Sequence, residues 1–289
     1  MKGYDDIGWE RMVPAVWADY RLYLLPTKML YHAICLPKMV RERPDGSIWI
    51  DMGRELTGNL HLRAVGKAGD RIRIWCGEEC QDNGNVRYEM RCGCTYEELW
   101  TLDDGDNVWE PYDYKGFRYA QLLADRGVVL LEIGVFVRHY PMEDQLCRME
   151  SGESELNQIF EICRHAVRLG TQESYVDCPT REKGQYLGDA LVTAHAQVLL
   201  TGETEMLRKC IGQFADTVRA APGLLAVAPG GLMQEIADFS LLYPQLLFLY
   251  YKFTGDVRIF EQYFDTVAGH DIQRFCIRPC ILAQSSLNL

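Results

Sequence analysis

The spacing of apolar residues changes once along this chain of 289 residues, and that change limits the folds open to it. Up to about residue 145 the period is two. Ser47-Ile48-Trp49-Ile50-Asp51, Leu60-His61-Leu62-Arg63-Ala64-Val65 and Arg71-Ile72-Arg73-Ile74-Trp75 alternate apolar and polar side chains, as strands with one buried face do. Residues 117–122 alternate again, and the apolar run 128–137 suits a strand in a sandwich core. Turn residues such as Lys67-Ala68-Gly69-Asp70 separate the runs, and Asn83-Gly84 reads as a hairpin turn. From about residue 151 the period becomes helical: Leu156, Ile159, Phe160, Cys163 and Val167 share a face. Further helices are predicted near 188–201, 204–220, 238–253 and 256–268, punctuated by Gly202, Pro222-Gly223, Pro229-Gly230-Gly231 and Gly255. The expectation is a β then α protein: an antiparallel β-sandwich over residues 1–145, then helical hairpins over 151–289.

The formal net charge is −11 and the isoelectric point near 5.1. Such a chain repels nucleic acid and anionic membranes, so neither is an expected partner, whereas a neutral sugar is compatible. The first six residues lack an apolar signal-peptide core, and no apolar run reaches the roughly 18 residues of a membrane span. A cytoplasmic location with reduced thiols is therefore expected. Cys76, Cys80, Cys92 and Cys94 lie near one another, but their spacings lack zinc knuckles, so no metal is expected.

Residues 177–189, Asp-Cys-Pro-Thr-Arg-Glu-Lys-Gly-Gln-Tyr-Leu-Gly-Asp, concentrate the chemistry. Pro179 can open a helix. Continued from there, the helix puts Glu182, Tyr186 and Asp189 on one face at i, i+4 and i+7. Three polar groups beside the apolar run 190–192 look like one wall of a site for a polar, neutral molecule. No Gly-x-Ser-x-Gly, phosphate loop or dinucleotide fingerprint is present, and His165 and His195 lack metal-ligand spacing.

The segment resembles the signature of the bacterial α-L-rhamnosidases, glycoside hydrolase family 78, which carries an Asp-Cys-Pro-x-Arg-Glu run followed by an aromatic residue and Gly-Asp. Residues 51–58 resemble that family's DFGxNxxG strand. Segments 66–70, 116–119, 236–242 and 253–256 resemble further family elements, so residues 9–268 read as one family segment. The resemblance implies a β-sandwich followed by an (α/α)6 barrel and hydrolysis of terminal α-L-rhamnose with inversion, without an organic cofactor. The partners it implies are rhamnose-containing glycosides or oligosaccharides. It assigns Glu182 as general acid and Asp177, Arg181, Tyr186, Asp189, Asp238 and Tyr243 as substrate-binding residues. Arg181 is expected to face Asp177 or the sugar hydroxyls. Competing structural roles are a helix cap for Asp177 and Asp238, a solvated helix position for Asp189, and core packing for Tyr186 and Tyr243; Glu235 is a weaker site candidate. Tyr186 stands where the family usually has Trp, and Gln185 where it has Gly. The resemblance also implies a barrel continuing past Leu289, with the second catalytic carboxylate there. The alternatives are another glycosidase or phosphorylase on the same barrel, or a non-catalytic sugar-binding protein.

Overall fold

The computed structural model describes residues 7–13, 23–143, 146–219 and 223–269. Its first part is an antiparallel β structure: β1 (Tyr31–Cys35), β2 (Met39–Glu42), β3 (Ile48–Gly66), β4 (Arg71–Gly77), β5 (Glu97–Thr101), β6 (Gly105–Trp109), β7 (Lys115–Ala124) and β8 (Val129–His139). β3 organises it. Its first residues pair with β2 and β7, and its later residues with β8 and β6. The two runs predicted at 47–51 and 60–65 are thus one strand, with a shift of register between Asp51 and Leu56. Along it Ile50, Met52, Leu60, Leu62 and Ala64 are buried, as a period of two requires. With Ile72, Ile74, Phe117, Leu122 and Val135 they form the core. Asn83-Gly84 sits in a tight turn, where the Gly84 amide donates to the Gln81 carbonyl at 2.8 Å.

The second part is helical: α1 (Ser154–Leu169), α2 (Leu187–Thr201), α3 (Glu205–Ala215), α4 (Ala237–Ser240), α5 (Tyr243–Thr254) and α6 (Arg258–Ala268). Its core is built on Leu187, Ala194, Met206, Ile211, Phe214, Tyr243 and Leu246. The helix predicted over 238–253 is broken in two. Pro244 in the first turn of α5 has no amide hydrogen, and its ring would clash with the Ser240 carbonyl in a continuous helix. A short hairpin, β9 (Ala226–Ala228) with β10 (Leu232–Glu235), lies in this half and was not predicted; Glu235 sits at the end of β10.

The helix predicted from Pro179 does not form, and α2 begins only at Leu187. A helix would need the Gly184 amide to reach the Thr180 carbonyl. Instead that carbonyl accepts the Tyr96 hydroxyl at 2.7 Å, and the Gly184 amide donates to Asp177 Oδ1 at 2.9 Å. Tertiary hydrogen bonds take both groups, so the segment is a loop. Among the described residues no helix is long and apolar enough to cross a membrane, and no cluster of His, Cys, Asp and Glu is placed to hold a metal.

Candidate active site

The site is built on the loop 177–186 and the first turn of α2. Asp177 closes the loop in both directions: its amide donates to the Gly184 carbonyl at 2.9 Å, and its carboxylate accepts from the Gly184 amide. It caps no helix. Tyr186 is the last non-helical residue before α2, and its carbonyl accepts the first helical bond, from Ala190, at 2.7 Å.

Although no helical face joins them, Glu182 and Tyr186 still meet. The Tyr186 hydroxyl donates to Glu182 Oε2 at 2.5 Å. This bond to a carboxylate, with burial adding to it, pushes the Tyr186 phenol up to about 12. On the other side the Arg181 guanidinium ion-pairs with Glu182 Oε1. Arg181 was expected to face Asp177 or open toward the sugar. The nearest strong acceptor within reach is its neighbour's carboxylate, and it is taken. The two side chains keep 37% and 27% of their surface, so a ligand can reach both. Asp189 lies in the first turn of α2. Its carboxyl is raised above the usual carboxylate range by burial first, then by the negative charges of Asp177 and Glu182. Three carboxyl groups therefore share one electrostatic neighbourhood, with one guanidinium among them.

The remaining candidates separate. Tyr243 is fully buried in the helical core, and its hydroxyl donates to the Ile211 carbonyl at 3.1 Å. It packs in that core, where a substrate contact was the expectation. Asp238 is an exposed residue of α4, whose cap position belongs to Ile236, so it is not the cap that was expected. α4 nevertheless borders the site, because the Phe239 ring covers Gly188 so closely that a Cβ there would lie 2.8 Å from Cζ. Gln185 is buried and donates to Gln213 Oε1 at 3.2 Å, tying the loop to α3. His165 Nε2 donates to the Glu55 carbonyl, 2.7 Å away, and His195 lines an apolar groove of about 680 Å³ between α2 and α5 that contains none of the loop's carboxylates.

A smaller cavity, about 330 Å³, brings in two glutamates that the sequence did not flag. Asp177, Cys178 and Pro179 line it from the loop, Val192 and Thr193 from α2, and Glu55 and Glu78 from the β domain. Burial raises the Glu55 carboxyl to about 7, with the Glu78 charge and their shared hydrogen bond adding to the effect. Glu55 follows Arg54 in the mixed stretch Asp51-Met52-Gly53-Arg54-Glu55-Leu56-Thr57, so no local signal marked it, and the strand pairing that places it is not revealed by sequence.

Two family models match the chain: the bacterial alpha-L-rhamnosidase concanavalin-like domain over residues 41–129 and the bacterial alpha-L-rhamnosidase 6 hairpin glycosidase domain over 144–271. An alpha-L-rhamnosidase of Formosa agariphila is 26% identical over 166 residues, which is 53% of this chain and 17% of that protein. The GH78 family rhamnosidase of Bacillus sp. GL1 superposes with a TM-score of 0.70 at 23% identity, over 78% of this chain and 24% of its own. The Streptomyces avermitilis alpha-L-rhamnosidase, solved in complex with L-rhamnose, superposes with a TM-score of 0.70 at 21% identity, over 85% of this chain and 24% of its own. The chain thus spans about a quarter or less of the length of these relatives.

Proposed function

The chain belongs to the bacterial α-L-rhamnosidase family, and from that premise we propose that its loop 177–186 serves the hydrolysis of terminal α-L-rhamnosides with Glu182 as general acid. The observation that carries this reading is the Arg181–Glu182–Tyr186 cluster, reachable from solvent and flanked by Asp177 and Asp189. Glycoside hydrolysis needs one carboxyl group to protonate the leaving oxygen and a second to activate water or attack. Glu182 takes the first role. Asp177 and Asp189 accept hydrogen bonds from vicinal sugar hydroxyls, which orients the ring without covalent chemistry. Tyr186 holds Glu182 through its hydroxyl and offers its ring to the apolar face of the sugar. The reaction inverts the anomeric centre, and the second carboxylate is not assigned among these residues.

Both Glu182 oxygens accept from donors in the free protein. An acid must instead give a proton outward, so sugar binding has to draw Arg181 away onto hydroxyl groups. That same engagement favours one alternative, a sugar-binding protein in which Glu182 remains an acceptor throughout. Release of nitrophenol from an aryl α-L-rhamnoside, measured beside calorimetric binding of L-rhamnose, separates the two. Turnover that disappears in Glu182→Gln supports catalysis. In a protein that also supplies the second carboxylate, binding with no turnover supports the alternative, and neither binding nor turnover refutes both.

A further inference from the structure

We propose that Lys183 is a positioning residue: it clamps the loop to the β domain and thereby fixes where the adjacent Glu182 carboxyl points. The proposal rests on the reading of Glu182 as general acid, but its geometry is separate. The Lys183 ammonium donates to both oxygens of Asp113, at 2.9 and 3.1 Å, and to the Tyr114 carbonyl at 2.5 Å. An ammonium has three hydrogens, and these acceptors can use all of them. It also lies 4.2 Å from the centre of the Tyr114 ring, within cation–π range, while the Arg138 guanidinium lies 4.3 Å from the same ring. The side chain keeps only 19% of its surface.

The backbone at Lys183 adds an independent sign. Its φ of +54° is left-handed, which among the described residues only one other non-glycine residue, Cys92, shares. Such a conformation persists in a lysine only where surroundings impose it. Here it lets successive side chains serve different partners: Glu182 meets Arg181 and Tyr186 within the site, and Lys183 reaches the β domain. A second anchor lies on the other side of Glu182. The Tyr96 hydroxyl holds the Thr180 carbonyl, and Gly116 sits so close that a Cβ there would lie 3.1 Å from both Pro179 and Thr180. Glu182 is therefore bracketed by contacts at residues 180 and 183, both supplied by the β domain. Proton transfer is sensitive to such placement, since a displacement of about 1 Å can cost about 100-fold in rate.

The test reads Glu182 through its neighbour. Tyrosine labelled at 13Cζ is titrated by NMR, with Tyr186→Phe assigning the Tyr186 resonance. In the unaltered chain the Tyr186 phenol titrates near 12 because it donates to Glu182. In Lys183→Met the carboxyl drifts, and the Tyr186 midpoint falls toward the ordinary value of 10, while Lys183→Arg, which can still pair with Asp113, restores it. Aryl rhamnoside turnover falls about 100-fold in Lys183→Met with KM little changed. Asp113→Asn, which keeps the Tyr114 carbonyl contact, gives a smaller shift and stands in if Lys183→Met does not fold. A Tyr186 midpoint that is the same in the unaltered chain, Lys183→Met and Asp113→Asn overturns the proposal. A midpoint that shifts as described while rhamnosides are hydrolysed equally fast with and without Glu182→Gln upholds the clamp and defeats the assignment of Glu182 as acid.

Discussion

The hydroxyl of Tyr96 donates a 2.7 Å hydrogen bond to the carbonyl of Thr180, joining the residue before β5 to the loop that carries Glu182. The two are 84 residues apart, and Tyr96 is buried. Removing the donor takes this partner from a buried carbonyl, and a buried unsatisfied group costs about 1–3 kcal/mol. Tyr96→Phe, which keeps the ring, is expected to lower stability by that amount in urea or thermal unfolding. An unchanged midpoint would mean that water replaces the hydroxyl at no cost.

Glu182→Gln keeps the shape of the side chain and both neighbours but cannot deliver a proton. Hydrolysis of unactivated rhamnosides is expected to fall about 10²–10⁴-fold, the usual worth of a general acid. An aryl substrate with a good leaving group needs less protonation and should lose less. Equal losses on the two substrates would remove Glu182 from the acid role.

Asp177 and Asp189 should respond differently, because only Asp177 holds backbone. Asp177→Ala deletes the acceptor for the Gly184 amide, so it should lower both melting temperature and rhamnose affinity, by about 1–3 kcal/mol in stability. Asp189→Asn relieves crowding with Asp177 and Glu182. It should weaken rhamnose binding without loss of stability, as calorimetry and thermal melts can show. A fall in melting temperature for Asp189→Asn as large as for Asp177→Ala would contradict this division.

The change from strands to helices was legible because period-two and helical spacing depend on local chemistry, as Ile72 and Ile74 in β4 and Ile211 and Phe214 in α3 illustrate. Residues that the sequence grouped also lie together in the structure: Glu182 meets Tyr186 and Arg181, and Asp177 and Asp189 share their field. Their geometry was not legible. The expected helical face across Glu182, Tyr186 and Asp189 assumed that local hydrogen bonds would win, whereas Tyr96, from far along the chain, captures the Thr180 carbonyl. The burial of Tyr243 was not legible either, since an aromatic residue near a site and one in a core have the same local pattern. Glu55 and Glu78 reach the site cavity only through strand pairing, which lies between segments and not within either.

Glu55 gives the chain a stability that depends on pH near neutrality. Its carboxyl titrates at about 7 when folded, against an ordinary 4.5, because it is buried beside Glu78. Between those two values the folded state holds a proton that the unfolded state has released. Stability therefore falls as pH rises through that window and is unaffected by this group below about 4.5. Allowing for partial solvent screening, the loss is on the order of 2 kcal/mol. Glu55→Gln cannot ionise, so its melting temperature should stay flat from pH 5 to 8 where that of the unaltered chain declines, and it should be the more stable form at pH 8. Glu78→Gln should also flatten the decline in part, since it removes the like charge that helps to raise Glu55. Thermal melts across this range decide the matter: parallel curves for all three forms would show that Glu55 titrates alike in the folded and unfolded chain.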